Sequence, residues 1–261
     1  MNLEELIKSG SKQLKKSKTK TSLLDAEIIL SDLMGVTREF LITNNNMNIS
    51  DNIKKKFNHA INRRINNEPV AYITGKRDFW TETFAVNRAT LIPRPETELL
   101  IYKIIKFFRN KSINILDIGT GSGCILLSIL KELKFSRGTG IDISNLAIKV
   151  AINNSRRFNL SNRSKFKVFD INKFKFGKYD LIVSNPPYIP SKEIKKLSKD
   201  IRDYEPDIAL NGGKDGLDLI KKVIYKSSKL LKNNGLFAIE IGTNQYLRVL
   251  AIMNKCGFRV V

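Results

Sequence analysis

INILDIGTGSGCILLSILKEL, residues 113–133, begins as a β-strand and ends as an α-helix, with Gly119, Gly121 and Gly123 at the change of state. The first part is a short isoleucine-rich run bounded by glycine, the pattern of a buried strand. The last part, CILLSILKEL, has the length of a helix and no breaker. Downstream the same alternation repeats. GTGIDIS (138–144) reads as a strand, NLAIKVAINNSRRFN (145–159) as a helix, and KFKVFD (165–170) and YDLIVSN (179–185) as strands. GLDLIKKVIYKSSKLLK (216–232) reads as a long helix, GLFAIEIG (235–242) as a strand, and NQYLRVLAIMNKC (244–256) as a helix leading into GFRVV (257–261). Strands alternating with helices predict parallel strands joined by crossover helices, a doubly wound α/β sheet.

Upstream the texture differs. Residues 1–70 carry apolar residues at helical spacing, with Gly35 as a stop and Ser50 as an N-cap, and read as a small helical domain of three to five helices. PVAYITGKRDFWTETFAVNRATLIPRPETE (69–98) is rich in β-branched and aromatic residues broken by Gly and Pro, and predicts a β-hairpin linker over 71–95. The α/β domain then occupies 96–261.

Composition excludes several classes. Cys124 and Cys256 are the only cysteines and form no CxxC, and His59 is the only histidine. A disulfide scaffold, a zinc site and a histidine-based triad are therefore excluded, and a reducing, cytoplasmic setting is expected. No apolar run approaches the length that spans a bilayer, so no membrane is expected as a partner. Lys and Arg outnumber Asp and Glu by 46 to 25 among the 261 residues, and the excess is concentrated after residue 80. Proximity to the ribosome or to nucleic acid is one reading of that charge. The other is a composition biased to Lys, Asn and Ile throughout, which charges a surface without any binding purpose.

In a doubly wound sheet ligands bind beyond the carboxyl ends of the strands. Gly119, Gly121 and Gly123 lie at such an end and open a helix, so backbone N–H groups there can approach a ligand. Asp142 ends the next strand 23 positions after Gly119, about where an acidic side chain receives ribose hydroxyls. A tight turn and a helix cap are the alternative readings of these two features; together they favour a nucleoside. The position three after Gly121 is Cys124, which departs from the nicotinamide-binding Gly-x-Gly-x-x-Gly. A third strand end is DLIVSNPPYIP (180–190), where Asn-Pro-Pro is at least a stop signal. It is also chemically pointed. The Asn185 side-chain oxygen and a carbonyl near Pro186 can both accept hydrogen bonds and so grip an –NH₂ group, while Tyr188 offers a flat wall for a planar amide or base.

GTGSG (119–123), the strand-end Asp142 and NPPY (185–188) together resemble a class I S-adenosylmethionine-dependent N-methyltransferase. RPETE (94–98), DFWTETFAV (78–86) and the helical N-terminal part narrow this: nearly the whole chain resembles the HemK/PrmC family of peptide chain release factor N5-glutamine methyltransferases. The resemblance implies a Rossmann-like methyltransferase sheet, S-adenosyl-L-methionine as cofactor and a release factor as protein substrate, with the helical domain docking it. It implies methylation of a glutamine side-chain amide, modulating translation termination. It assigns Gly119, Thr120, Gly121, Ser122 and Gly123 to the methionine end of the cofactor, Asp142 to the ribose, and Asp170 and Ile171 to the adenine. Asn185, Pro186, Pro187 and Tyr188 would hold the glutamine, with Asn185, Pro186 and Tyr188 catalytic and Asn185 also near the cofactor. Two departures stand out. Many relatives carry an aromatic residue where this chain has Ile171, and GFRVV supplies at most the start of the strand pair that usually closes such a sheet. The rival readings are a nucleic-acid N-methyltransferase acting on an exocyclic base amine, which shares NPPY, and a non-catalytic scaffold that binds cofactor and partner.

Overall fold

The computed structural model describes residues 2–260, which divide into two compact units: residues up to 76 with 199–204, and residues 77–198 with 205 onward. The first unit holds helices α1 (Leu3–Lys16), α2 (Ser22–Met34), α3 (Arg38–Thr43), α4 (Asp51–Ile65) and the single-turn α5 (Val70–Thr74). Local chemistry sets their ends. Asn2 and Glu5 form a reciprocal capping box on α1, the Asn2 side chain accepting from the Glu5 N–H at 2.8 Å and Glu5 accepting from the Asn2 N–H at 2.9 Å. Gly35 closes α2 in the left-handed conformation and Ser50 caps α4, as the sequence predicts. The helices bury one shared core that includes Leu3, Leu6, Leu14, Ile29, Leu30, Leu41, Phe57 and Ile61. Arg64 pairs with the buried Asp25 at 2.7 Å.

The second unit starts with the hairpin β1 (Lys76–Phe79) and β2 (Glu82–Ala85), followed by α6 (Thr97–Phe107). The expected linker over 71–95 is thus only partly a hairpin: α5 precedes it, and 86–96 is irregular. α6 itself was not expected from the sequence, because Pro93 and Pro95 read as the tail of the linker. Strands and helices then alternate: β3 (Asn114–Ile118), α7 (Cys124–Glu132), β4 (Arg137–Asp142), α8 (Asn145–Arg157), β5 (Ser164–Val168) and β6 (Tyr179–Ser184). The single-turn α9 (Ser191–Ile194) follows, then α10 (Lys199–Arg202) within the segment that counts with the first unit, then α11 (Asp218–Leu230), β7 (Leu231–Ile239) and α12 (Tyr246–Lys255).

The sheet has the order β5-β4-β3-β6-β7 and every neighbouring pair is parallel. Side chains alternate between its faces. Ile115, Leu181 and Val183 enter one core with Phe79, Phe84, Ile101, Ile104, Leu126 and Leu130. Leu116, Ile118, Ile141, Ile182 and Phe237 enter the other with Ile220, Val223, Ile224 and Val249. Each of these side chains contributes roughly 2 kcal/mol by leaving water, so helices on both faces are required. Gly257–Val260 adds no strand to the sheet among the described residues; Phe258 instead packs on Phe237, ring centres 5.1 Å apart. The final residue of the expected GFRVV strand, Val261, lies outside the described residues.

Parallel register brings one set of strand ends together. Ile118 pairs with Ile141 and with Ser184, Asp142 with Val168, and Ser184 with Ile239. Gly119, Asp142, Phe169, Asn185 and Glu240 therefore all leave the sheet at the same edge.

Candidate active site

At the end of β3 the chain turns through Gly119 and Gly121, whose φ angles of +74° and +55° disfavour any residue with a Cβ. No atom lies within 4 Å of where a Cβ would stand at either position, so these glycines serve the turn and leave open space above it. The loop is tied down from below. The N–H groups of Gly119 and Thr120 both donate to the Ile141 carbonyl, and that of Gly121 donates to Asp142 Oδ2 at 2.9 Å. Asp142 Oδ1 accepts from the Ser144 N–H at 2.9 Å. Burial raises the Asp142 pKa, with these N–H groups opposing the shift.

Beneath the loop lies Asp117, fully buried. One of its oxygens accepts from Thr120 Oγ1 at 2.6 Å; Oδ1 is buried with no hydrogen-bond partner. Burial pushes its pKa up to about 7; the Thr120 hydroxyl works against that and the nearby Asp142 adds to it. The Leu126 backbone N–H, on the first turn of α7, also favours the charged form.

A cavity of about 300 Å³ opens above these strand ends. Of the residues singled out from sequence, Gly119, Thr120, Gly121, Ser122, Asp142, Asp170, Ile171, Asn185, Pro186 and Pro187 line it; Gly123 and Tyr188 do not. Gly123 instead caps α7, its N–H donating to Thr120 at 2.8 Å. Tyr188, expected as a flat wall, is half-buried against the second core, because Glu240 and Gln245 hold it there. Its hydroxyl faces Glu240 Oε1 at 3.4 Å and its carbonyl accepts from Gln245 Nε2 at 2.9 Å. Burial, and secondarily the Glu240 carboxylate, raise the Tyr188 pKa. Asp170 Oδ1 accepts from the Asn172 N–H and side chain, which folds the turn after β5. Ile171 is buried at the cavity wall beside Phe169, a wall residue the sequence reading passed over. Phe169 is held edge-on by Phe174 and Phe176 at 5.3 and 6.0 Å.

The Asn185 end is built by residues distant in sequence. Asn185 Nδ2 donates to Thr97 Oγ1 at 3.3 Å, and Thr97 Oγ1 donates to Glu240 Oε2 at 2.6 Å. After Asn185, Pro186 and Pro187 have no N–H, so this backbone can only accept hydrogen bonds. Thr97 belongs to RPETE, and so do two other anchored residues. Arg94 pairs with Glu205, and Glu98 accepts from the Trp80 N–H at 2.9 Å. Arg94 and Thr97 stand out in the sequence only as part of RPETE, without a role, and Glu240 and Glu205 do not stand out. The signal for Glu240 was present, a lone carboxylate at the end of the apolar strand GLFAIE.

Comparison with known proteins agrees. A model described as the PrmC N-terminal domain matches residues 5–75, and one described as a methyltransferase domain matches residues 109–253. The release factor glutamine methyltransferase of Clostridium acetobutylicum is 38% identical over 99% of this chain and 92% of its own length. That of Buchnera aphidicola subsp. Schizaphis graminum is 40% identical, with the same coverage of each chain. Among solved structures, a methyltransferase from Pyrococcus furiosus matches 68% of this chain and 79% of its own with a TM-score of 0.51 and 21% identity, which establishes the fold. No helix of the described residues is long and apolar enough to cross a membrane. With a methyltransferase domain on a five-stranded parallel sheet and relatives matched over nearly the whole chain, the chain belongs to the release factor glutamine methyltransferase family.

Proposed function

We propose that the protein transfers a methyl group from S-adenosyl-L-methionine to the side-chain amide nitrogen, N5, of a glutamine in a peptide chain release factor, and so modulates translation termination in the cytoplasm. The observation that carries this reading is the single cavity lined both by the glycine loop with Asp142 and by Asn185-Pro186-Pro187. The cofactor fits the residues present. Gly119 and Gly121 leave open space above the loop, Asp142 lines the cavity beside them, and Phe169 and Ile171 give an apolar wall for a base. Gly119 to Ser122 would hold the methionine end, with Gly123 supporting the loop from the helix side. Asp142 would hold the ribose through lone pairs left over from its two backbone contacts.

When bound, S-adenosylmethionine supplies a methyl group on a positively charged sulfur, which keeps the bonding pair and becomes neutral as the amide nitrogen takes the carbon. An amide nitrogen is a poor nucleophile because its lone pair is delocalised into the carbonyl. Asn185 Oδ1 and the Pro186 carbonyl would accept its two N–H groups, raise electron density on nitrogen and fix its direction, until one proton is lost to water. The gain lies in orientation and in dipoles already in place. Tyr188 acts from behind, through Glu240, and is a positioning residue in this scheme. The helical first unit would dock the release factor.

The test is methyl transfer from labelled S-adenosylmethionine with release factor, total RNA and DNA offered side by side. Label in the release factor, lost when its acceptor glutamine is changed, is the expected result. Label in nucleic acid alone would overturn the reading in favour of an exocyclic-amine methyltransferase.

A further inference from the structure

The chain Asn185, Thr97, Glu240, Tyr188 has a direction as well as a geometry. Thr97 has one hydroxyl hydrogen, and its oxygen lies 2.6 Å from Glu240 Oε2 and 3.3 Å from Asn185 Nδ2. A carboxylate only accepts, so the Thr97 hydrogen is committed to Glu240. What Thr97 then presents to Asn185 is a lone pair, and a lone pair selects the –NH₂ half of the Asn185 amide. The Asn185 oxygen is left as the half available to the cavity that this residue lines. Tyr188 presents its hydroxyl to the other Glu240 oxygen at 3.4 Å, so both oxygens have a side-chain neighbour. The Glu240 backbone is itself fixed, its N–H donating to the Ser184 carbonyl at 3.0 Å.

From this we infer that Glu240 is a positioning residue that sets the sense of the Asn185 amide through Thr97, so that the site meets an incoming –NH₂ group with an acceptor rather than a donor. The inference rests on the functional reading above and adds the residues that give the amide grip its polarity. An amide is nearly symmetric in shape; rotated by half a turn, Asn185 would occupy the same space and present two hydrogens to the substrate's two hydrogens. Packing alone discriminates poorly between those states. A carboxylate two hydrogen bonds away discriminates strongly, because it has no proton to give. Thr97 lies in α6 and Glu240 directly follows β7, 143 positions apart, so the relay also requires the helix and the strand end to be in register.

Two readouts test this on the 261-residue chain. The first is the side-chain amide NMR signal of Asn185, assigned by its loss in Asn185→Ser, which needs no substrate. It should move in Thr97→Val and Glu240→Leu and stay in place in Thr97→Ser. An unmoved signal in both of the first two variants overturns the inference. The second is turnover on a glutamine-containing release-factor substrate with cofactor affinity measured in parallel. Thr97→Val and Glu240→Leu should each lower kcat by about 10-fold or more while the cofactor Kd stays within about 3-fold. Thr97→Ser should retain kcat within about 3-fold, and the double variant should be no worse than the weaker single one, since both break one relay. A Thr97→Val enzyme with wild-type kcat, or losses that multiply in the double variant, would overturn the relay. Should the wild-type protein methylate no glutamine, the functional reading falls, and the Asn185 signal alone still decides the relay.

Discussion

Arg94 and Glu205, 111 positions apart, meet at 2.6 Å, with the Glu205 side chain almost wholly buried and also accepting from the Ile92 N–H at 3.2 Å. The pair fastens the proline-rich approach to α6 against the segment that enters the cavity wall at Pro206. Removing Arg94 takes a cation from a buried carboxylate while leaving its contact with the Ile92 N–H. Arg94→Leu should therefore cost about 3 kcal/mol of stability, measured by urea unfolding. A loss no larger than that of an exposed pair such as Lys8–Glu4 would show that solvent screens Glu205.

Asn154 on α8 is fully buried and joins three elements. It donates to the Ala85 carbonyl at 3.0 Å and the Ser122 carbonyl at 2.9 Å, and accepts from the Ala85 N–H at 2.8 Å. Asn154→Ala leaves several backbone groups unpaired and should destabilise the protein by about 2–4 kcal/mol. Because one contact reaches the glycine loop, cofactor affinity should weaken as well. Unchanged unfolding in denaturant would refute the assignment.

On the proposed reading, Asn185→Ala removes an acceptor for the substrate amide but none of the glycine loop. Methyl transfer should fall by about 100-fold or more while cofactor binding, followed by calorimetry, persists. Full activity in this variant would remove Asn185 from the mechanism.

Asp117 carries a pH signature. Its folded-state pKa is raised to about 7 by burial, against an unfolded value near 4. Between those values the folded protein binds the extra proton, so this group's contribution is fully present below about pH 4 and is lost as pH rises through about 7. Melting temperature without cofactor should therefore decline from pH 5 to pH 8 more steeply in the wild type than in Asp117→Asn. Parallel slopes for the two proteins would show that Asp117 is ionised throughout.

Much of this was legible in the sequence because it depends on periodicity and on breakers close together in the chain. The strand, glycine turn and helix of 113–133, the strand end at Asp142 and the stop at Asn185 all fall where the pattern places them. α6 was hidden because two prolines precede it and its apolar residues follow β-branched ones. RPETE could be recognised, yet its purpose could not be read: Arg94, Thr97 and Glu98 each answer to a partner far along the chain or on a neighbouring element. Tyr188 was misplaced for the same reason. Its neighbours in sequence point to the cavity, but Glu240 and Gln245, more than fifty residues on, fix its position.

The two prolines after Asn185 have a chemical consequence for what the site will refuse. On the proposed reading, a backbone stripped of N–H groups, next to an amide turned oxygen-first, presents lone pairs alone. Glutamate matches glutamine in size, yet as a carboxylate it brings only oxygens and a negative charge, and every contact of the grip becomes repulsive. A substrate whose glutamine has suffered deamidation would be excluded at the point of entry. On the proposed reading, the modification then also inspects the residue it modifies, and only an intact side chain leaves with a mark.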